Sequence, residues 1–316
     1  MTRKIILDCD PGHDDAIALM LAHGNPDIDL VAVTTVGGNA FLDKVTRNAL
    51  GVMTMAGITD VPIAAGCTRP LLRQVEEAAE HGESGLDGVV LPPPTVALDP
   101  RHGVDLIIDT VMAAPPGTIT LVPTGPLTNI ALAIRQRPEL VDRVQEVVLM
   151  GGGVHVGNWS PVAEFNIKTD PEAARIVFEA AWPVTMVGLD VTHQALATDQ
   201  VNDRIAALGT PLAEFVLGLF RFFRQAYRDT QGFDFPPVHD PVAVARVIDP
   251  SIVSVVRAPI VVETVGEHTL GMTVTDLRRT AAADCHTQAA TALAADRFWD
   301  LVVDAIDRLG KAKTDA

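Results

Sequence analysis

Cysteine is scarce: Cys9, Cys67 and Cys285 are the only three in 316 residues. They are too few and too scattered for a disulfide framework or a zinc cage, and they fit a reducing cytoplasm. Positive charge is also short, with 24 Lys and Arg against 40 Asp and Glu and a net charge of −16. That balance argues against nucleic acid and an anionic membrane surface as partners. Aromatic residues make up 4% of the chain, with a single Tyr. No apolar run approaches the roughly 20 residues of a membrane span. Only Ile5, Ile6 and Leu7 precede the first acidic residue, too few for the apolar region of a signal peptide. No repeat or low-complexity linker interrupts the chain, so a single domain is expected over 1–316, with 311–316 a flexible tail. The 48% hydrophobic content suffices for a large core.

What is present is concentrated near the start. Residues 4–22 read KIILDCDPGHDDAIALMLA. An apolar strand, a Pro-Gly turn and an Ala/Leu-rich helix are expected in that order. Asp8, Asp10, Asp14 and Asp15 place four carboxylates within eight residues, and these repel one another unless a cation sits among them. Asp8 and Asp10 share one face of an extended strand. Asp14 and Asp15 fall in a helical first turn, where the macrodipole favours anions. Each taken singly suits a helix cap or a solvated loop, but the cluster points to a metal. Hard oxygen ligands suit calcium or magnesium better than zinc.

Strands are expected at Ile28–Val36, Val61–Ala65, Thr118–Val122, Gln145–Met150 and Val184–Leu189. Helices are expected at Lys44–Ala56, Asp105–Ala114, Leu127–Arg135 and Pro171–Ala181. Residues 195–248 read as mostly helical, and Val256–Val274 as extended antiparallel segments. A closing helix is expected over Thr287–Leu309. The alternation predicts an α/β fold: an open, mostly parallel central sheet with helices on both faces and a small antiparallel extension. Arg69–Pro100 breaks the rhythm as a long irregular segment, a type that is usually functional or mobile. Ligands of such sheets bind beyond the carboxyl ends of the strands, where this chain carries its polar clusters.

The loop Gly151–Asn166 offers Asn158, Glu164 and Asn166, donors and acceptors suited to a polyhydroxylated ligand such as a sugar, or equally to an ordinary solvated loop. His239-Asp240-Pro241 pairs an imidazole with a carboxylate. Asp240 before Pro241 also serves as a plain helix cap, while histidine titrates nearest neutral pH. Phe215, Phe220, Phe222, Phe223, Phe233, Phe235 and Tyr227 crowd 215–235 at helical spacing, which assigns most of them to the core. Tyr227 and His81 remain candidates for ligand contact.

Together these pieces resemble the nucleoside hydrolases of the inosine–uridine type. Asp-Cys-Asp-Pro-Gly-His-Asp-Asp at 8–15 resembles that family's DxDxxxDD fingerprint. Gly37-Gly38-Asn39, the Pro123–Asn129 motif, Glu164-Phe165-Asn166 and His239-Asp240 follow in order. The resemblance implies a bound calcium ion held by Asp10, Asp15, Asp240 and the backbone carbonyl of Thr124. It places Asp14, Asn39, Asn158, Glu164 and Asn166 around the ribose, with His81 and Tyr227 near the base. It gives His239 a role at the leaving base, and Asp8 an orienting role behind the ligands. It further implies a homodimer or homotetramer acting in nucleoside salvage.

The chemistry expected is hydrolysis of an N-glycosidic bond of a ribonucleoside such as inosine, uridine or cytidine. Calcium would activate water, Asp10 would act as general base, and His239 would assist the departing base. The sequence leaves the choice between purine and pyrimidine open. Two rivals are a calcium-dependent nucleoside- or ribose-binding protein without catalysis and a phosphatase using a DxD nucleophile. In the latter, Asp8 rather than Asp10 would be the more critical residue, yet Pro-Gly follows Asp10 where Thr or Val belongs.

Overall fold

The computed structural model describes residues 2–314. Its strands are β1 (Arg3–Cys9), β2 (Ile28–Thr35), β3 (Ile63–Ala65), β4 (Ile119–Pro123), β5 (Val144–Met150), β6 (Val184–Val187), β7 (Val253–Arg257), β8 (Ile260–Val262), β9 (Thr273–Thr275) and β10 (Thr287–Leu293). The first helices are α1 (His13–Gly24), α2 (Leu42–Ala56), α3 (Gly103–Ala113), α4 (Thr128–Gln136), α5 (Phe165–Thr169) and α6 (Pro171–Glu179). They are followed by α7 (Leu189–Thr192), α8 (Asp199–Ala206), α9 (Pro211–Thr230), α10 (Asp240–Ile248) and α11 (Ala295–Thr314).

Eight strands form one sheet in the order β3-β2-β1-β4-β5-β6-β10-β7, parallel except where β7 runs against β10. β8 and β9 make a separate antiparallel pair. Alternation along β1 explains the two cores. Ile5 and Leu7 enter the apolar cluster beneath α1, α10 and α11, while Ile6 enters the one beneath α3, α4 and α6. A strand covered on both faces must be apolar on both, as this run is.

β1 pairs with β2 on one side and β4 on the other, so the winding direction reverses between β1 and β4. A crevice opens at such a reversal, outside the carboxyl ends of the strands. The turn after β1, the Gly37-Gly38-Asn39 turn after β2 and the Thr124-Gly125 turn after β4 all meet there.

Four expectations need correction. Thr287–Leu293 is a strand, not the start of the closing helix; its Ala residues favour helix locally, but pairing with both β6 and β7 overrides that preference. Residues Lys311–Thr314 continue α11 instead of fraying, and the Lys313 ammonium donates to the carbonyls of Thr54 and Met55 at the end of α2. The remainder of that expected tail, residues 315–316, lies outside the described residues. β6 stops at Val187, and Leu189 opens α7. The loop after β5 ends sooner than expected, because Glu164 caps α5 from Phe165 onward. Arg69–Pro100 is irregular apart from one 3-10 turn at Ala79–His81.

Candidate active site

Burial without a basic partner defines this site. Asp10, Asp14, Asp15 and Asp240 are each less than 5% exposed. Among the described residues no Lys or Arg pairs with any of them. Oxygens of Asp14, Asp15 and Asp240 lie within 4.8 Å of one another. Burial raises all four pKa values, Asp14 to about 7, and repulsion from neighbouring carboxylates adds to it at Asp10, Asp14 and Asp240. Neighbouring buried carboxylates of this kind are stable only if protonated or joined by a cation. The donor set is all oxygen, which fits a hard divalent ion.

Asp10 stands beside that trio. One of its oxygens accepts the Asn39 backbone N–H at 2.7 Å, while Oδ1 is buried with no hydrogen-bond partner. An orphaned carboxylate oxygen next to three more carboxylates marks where a cation or water fits. The Asn39 side chain turns inward, donating to the Asp10 carbonyl at 3.1 Å and to Asp15 at 3.3 Å. Asp15 is further held by the Gly12 N–H at 3.0 Å and the Thr124 hydroxyl at 2.9 Å. Gly38 is needed at its turn because a Cβ there would overlap Asp10 Oδ2.

Asp8 lies behind these groups. Its Oδ1 accepts from the Thr34 hydroxyl at 2.6 Å and the Asn129 amide at 2.7 Å. Burial nevertheless lifts its pKa to about 7. Asn129 also donates to the Thr35 carbonyl and accepts from the Cys67 N–H, tying β1, β2 and the segment after β3 together.

One pocket gathers most of the remaining candidates: Asp14, Asn39, His81, Thr124, Asn158, Glu164, Asn166, Tyr227, His239 and Asp240 all line it. Glu164 Oε2 accepts two backbone N–H groups, from Gly152 and Ile167, and Oε1 accepts one, from Asn166. Oε1 keeps a free lone pair for a ligand hydroxyl. Burial pushes the Glu164 pKa to about 7, against the pull of those three N–H groups. The Asn166 amide donates to the carbonyls of Thr124 and Met150, at 2.7 and 3.2 Å, leaving its oxygen free. Asn158 accepts from the Phe165 N–H, leaving its own NH2 free.

The opposite wall belongs to imidazoles. His239 Nδ1 lies 2.7 Å from the Thr192 hydroxyl and Nε2 lies 2.7 Å from the Tyr227 hydroxyl. Burial, reinforced by His193, depresses the His239 pKa to about 3, so the ring is neutral at pH 7. Burial also lowers His13, to about 4, and His81. The Phe residues of α9 serve packing: Phe215, Phe220 and Phe223 are buried, and none of the six Phe between 215 and 235 lines the pocket.

Sequence reasoning did not single out Thr192, Asn129, Trp159, Glu80 or Gln231. Gln231, just past α9, donates to Glu80 at 3.1 Å across the pocket rim. Asn129 closes the Pro123–Asn129 motif and could have been weighed with it. Thr192 carries no local signal at all.

The chain is similar to known proteins over nearly its whole length. The family model for the inosine-uridine preferring nucleoside hydrolase matches residues 5–300. An inosine-uridine preferring nucleoside hydrolase from Leishmania major is 56% identical over 315 residues, covering 98% of this chain and 99% of that protein. A pyrimidine-specific ribonucleoside hydrolase from Photobacterium profundum is 48% identical, over 87% of this chain and 89% of that one. The solved purine-preferring ribonucleoside hydrolase from Gardnerella vaginalis superposes with a TM-score of 0.92 at 33% identity, covering 98% of this chain and all of that one. The chain belongs to the inosine-uridine preferring nucleoside hydrolase family. It is a nucleoside hydrolase.

Proposed function

We propose that this enzyme hydrolyses the N-glycosidic bond of ribonucleosides of the inosine, uridine and cytidine type in a calcium-dependent reaction, releasing ribose and free base. The observation that carries this reading is the pocket itself, with buried carboxylates and hydroxyl-binding groups on one wall and a Tyr–His–Thr chain on the other. Asp10, Asp15, Asp240 and the Thr124 carbonyl would hold calcium, which when bound supplies Lewis-acid assistance to water and to the ribose 2′ and 3′ hydroxyls.

Asp10, with its unpartnered Oδ1, takes the proton of the attacking water. Asp14, the Asn158 NH2, the free Glu164 lone pair and the Asn166 oxygen bind the sugar hydroxyls and favour its cationic transition state. At the leaving base, a neutral His239 with its hydrogen on Nε2 completes a chain of donors. The Thr192 hydroxyl donates to Nδ1, Nε2–H donates to the Tyr227 oxygen, and the Tyr227 hydroxyl donates to the departing base. Bonds aligned in this way strengthen one another. Attack by water itself inverts the anomeric carbon; trapping a covalent ribosyl-enzyme would contradict it.

The test is ribose release from inosine, adenosine, guanosine, uridine, cytidine and 2′-deoxyuridine by native enzyme and Asp10→Asn, with metal content measured in parallel. Ribose dependent on Asp10, with about one calcium per chain, supports the reading. Bound calcium without ribose from any nucleoside would favour the binding protein. Greater damage from Asp8→Asn than from Asp10→Asn would favour the phosphatase. The same reading includes a homodimer or homotetramer, which light scattering tests.

A further inference from the structure

His13 lies within the acidic fingerprint but is absent from the pocket lining and from the mechanism above. It is fully buried, its ring stacked parallel to those of Phe222 and Phe223 with centroids 5.1 Å away in each case. Its Nε2 lies 2.9 Å from the Asp87 carbonyl. A carbonyl only accepts, so Nε2 carries the hydrogen and Nδ1 of the neutral ring is left as a lone pair. That lone pair lies 3.2 Å from His81 Nδ1. The His13 backbone N–H, a donor and nothing else, lies 3.2 Å from the same His81 Nδ1. His81 Nδ1 is therefore offered one donor and one acceptor by a single residue.

Each neutral tautomer of His81 satisfies one of these and offends the other. With Nδ1 bare, the His13 N–H is satisfied, two lone pairs face each other, and Nε2 bears the hydrogen. With Nδ1 protonated, it donates to the His13 ring, the His13 N–H loses its acceptor, and Nε2 becomes a lone pair. The opposing mismatches bring the tautomers close in energy. The ring packs directly on Gly12, with Nδ1 in the space that a side chain at that position would fill. His81 lines the pocket, and its Nε2 has no hydrogen-bond partner among the described residues.

We propose that His13 is a positioning residue that lets His81 exchange tautomers, so that His81 Nε2 meets an exocyclic oxo group as a donor and an exocyclic amino group as an acceptor. The inference rests on the nucleoside-hydrolysing reading of the pocket. It deepens that reading by giving a physical basis for accepting both oxo bases (uracil, hypoxanthine) and amino bases (cytosine, adenine). His13→Phe keeps the stacked ring but removes the acceptor, which locks His81 as the Nε2–H tautomer. His13→Asn gives up the stacking but returns an acceptor oxygen near the position of Nδ1.

The experiment measures kcat/KM for uridine against cytidine and inosine against adenosine in native enzyme and both variants. The oxo-to-amino ratio is expected to rise about tenfold in His13→Phe, the scale of one mismatched hydrogen bond, and to fall back toward native in His13→Asn. A purely structural role predicts the reverse ordering, with the stacked Phe variant near native and the Asn variant impaired on all substrates; that result, or an unchanged ratio in His13→Phe, overturns the proposal. The 15N spectrum of the His81 ring gives a readout independent of turnover. Both nitrogens should show averaged character in native enzyme, and Nε2 alone should be protonated in His13→Phe; one fixed tautomer in the native protein also overturns it. If native enzyme releases no ribose from any of the four nucleosides, the functional reading fails, whereas the ring spectrum still decides the tautomer exchange.

Discussion

The two walls of the pocket are built in different ways. The carboxylate wall grows mainly from the ends of β1, β2 and β4, adjacent strands held in register by their ladders, with Asp240 added from the start of α10, and its side chains are cross-tied through Asn39, Thr124 and Asn129. The imidazole wall is assembled from distant pieces: a 3-10 turn at 79–81 inside a long irregular segment, the C-terminal part of α9, and the residues before α10. One wall is fixed by the sheet. The other depends on side chains meeting across the fold, and it is the wall proposed to meet the base.

Changes to the carboxylate wall should cost the most. Asp240→Ala is expected to lower kcat/KM by about 10³-fold or more on every nucleoside, with loss of bound metal by elemental analysis. Equal activity with full metal content would remove Asp240 from the ligand set. On the opposite wall, Tyr227→Phe removes the hydroxyl proposed to donate to the base. It should lower kcat by roughly 10²-fold while leaving metal content unchanged.

The cross-ties give a structural counterpart. Asn129→Leu strands the Cys67 N–H, removes one of the two donors to the Thr35 carbonyl and leaves Asp8 with one donor. Urea unfolding should show a loss of about 3 kcal/mol. The smallest effect is expected at His13. Its folded pKa is about 4, against an ordinary 6.5 that applies once the chain unfolds. Between those values the unfolded chain binds a proton that the native ring refuses. Stability from the neutral ring is thus complete above pH 6.5 and is lost as pH falls toward 4. Native protein should lose about 2 kcal/mol more than His13→Phe between pH 8 and pH 5. Parallel losses in the two proteins would mean that His13 titrates freely.

The same division governs what the sequence revealed. Asp8, Asp10, Asp14 and Asp15 are local: one strand, one turn and the start of one helix bring them together, so spacing alone exposed the cluster. The parallel sheet was legible for the same reason, because each βα unit carries its own pattern. Thr192 and His13 had no such signal; what they do depends on His239 and His81, which lie 47 and 68 residues away. Thr287–Leu293 was misread because its neighbours in the sheet, not its own alanines, decide its conformation. Phe215, Phe220 and Phe223 were legible as core because α9 carries them at helical spacing, whereas Phe233 and Phe235 lie beyond α9 and are half-buried.

The most direct test of this division uses a leaving group that needs no donor. p-Nitrophenyl β-D-ribofuranoside departs as a stable anion, so only the carboxylate wall should matter for it. His239→Ala should keep p-nitrophenol release within a few-fold of native while losing roughly 10²-fold or more on uridine and inosine. Equal losses on the aryl riboside and the nucleosides would show that His239 serves the sugar chemistry, contradicting the assignment of sugar and base to separate walls.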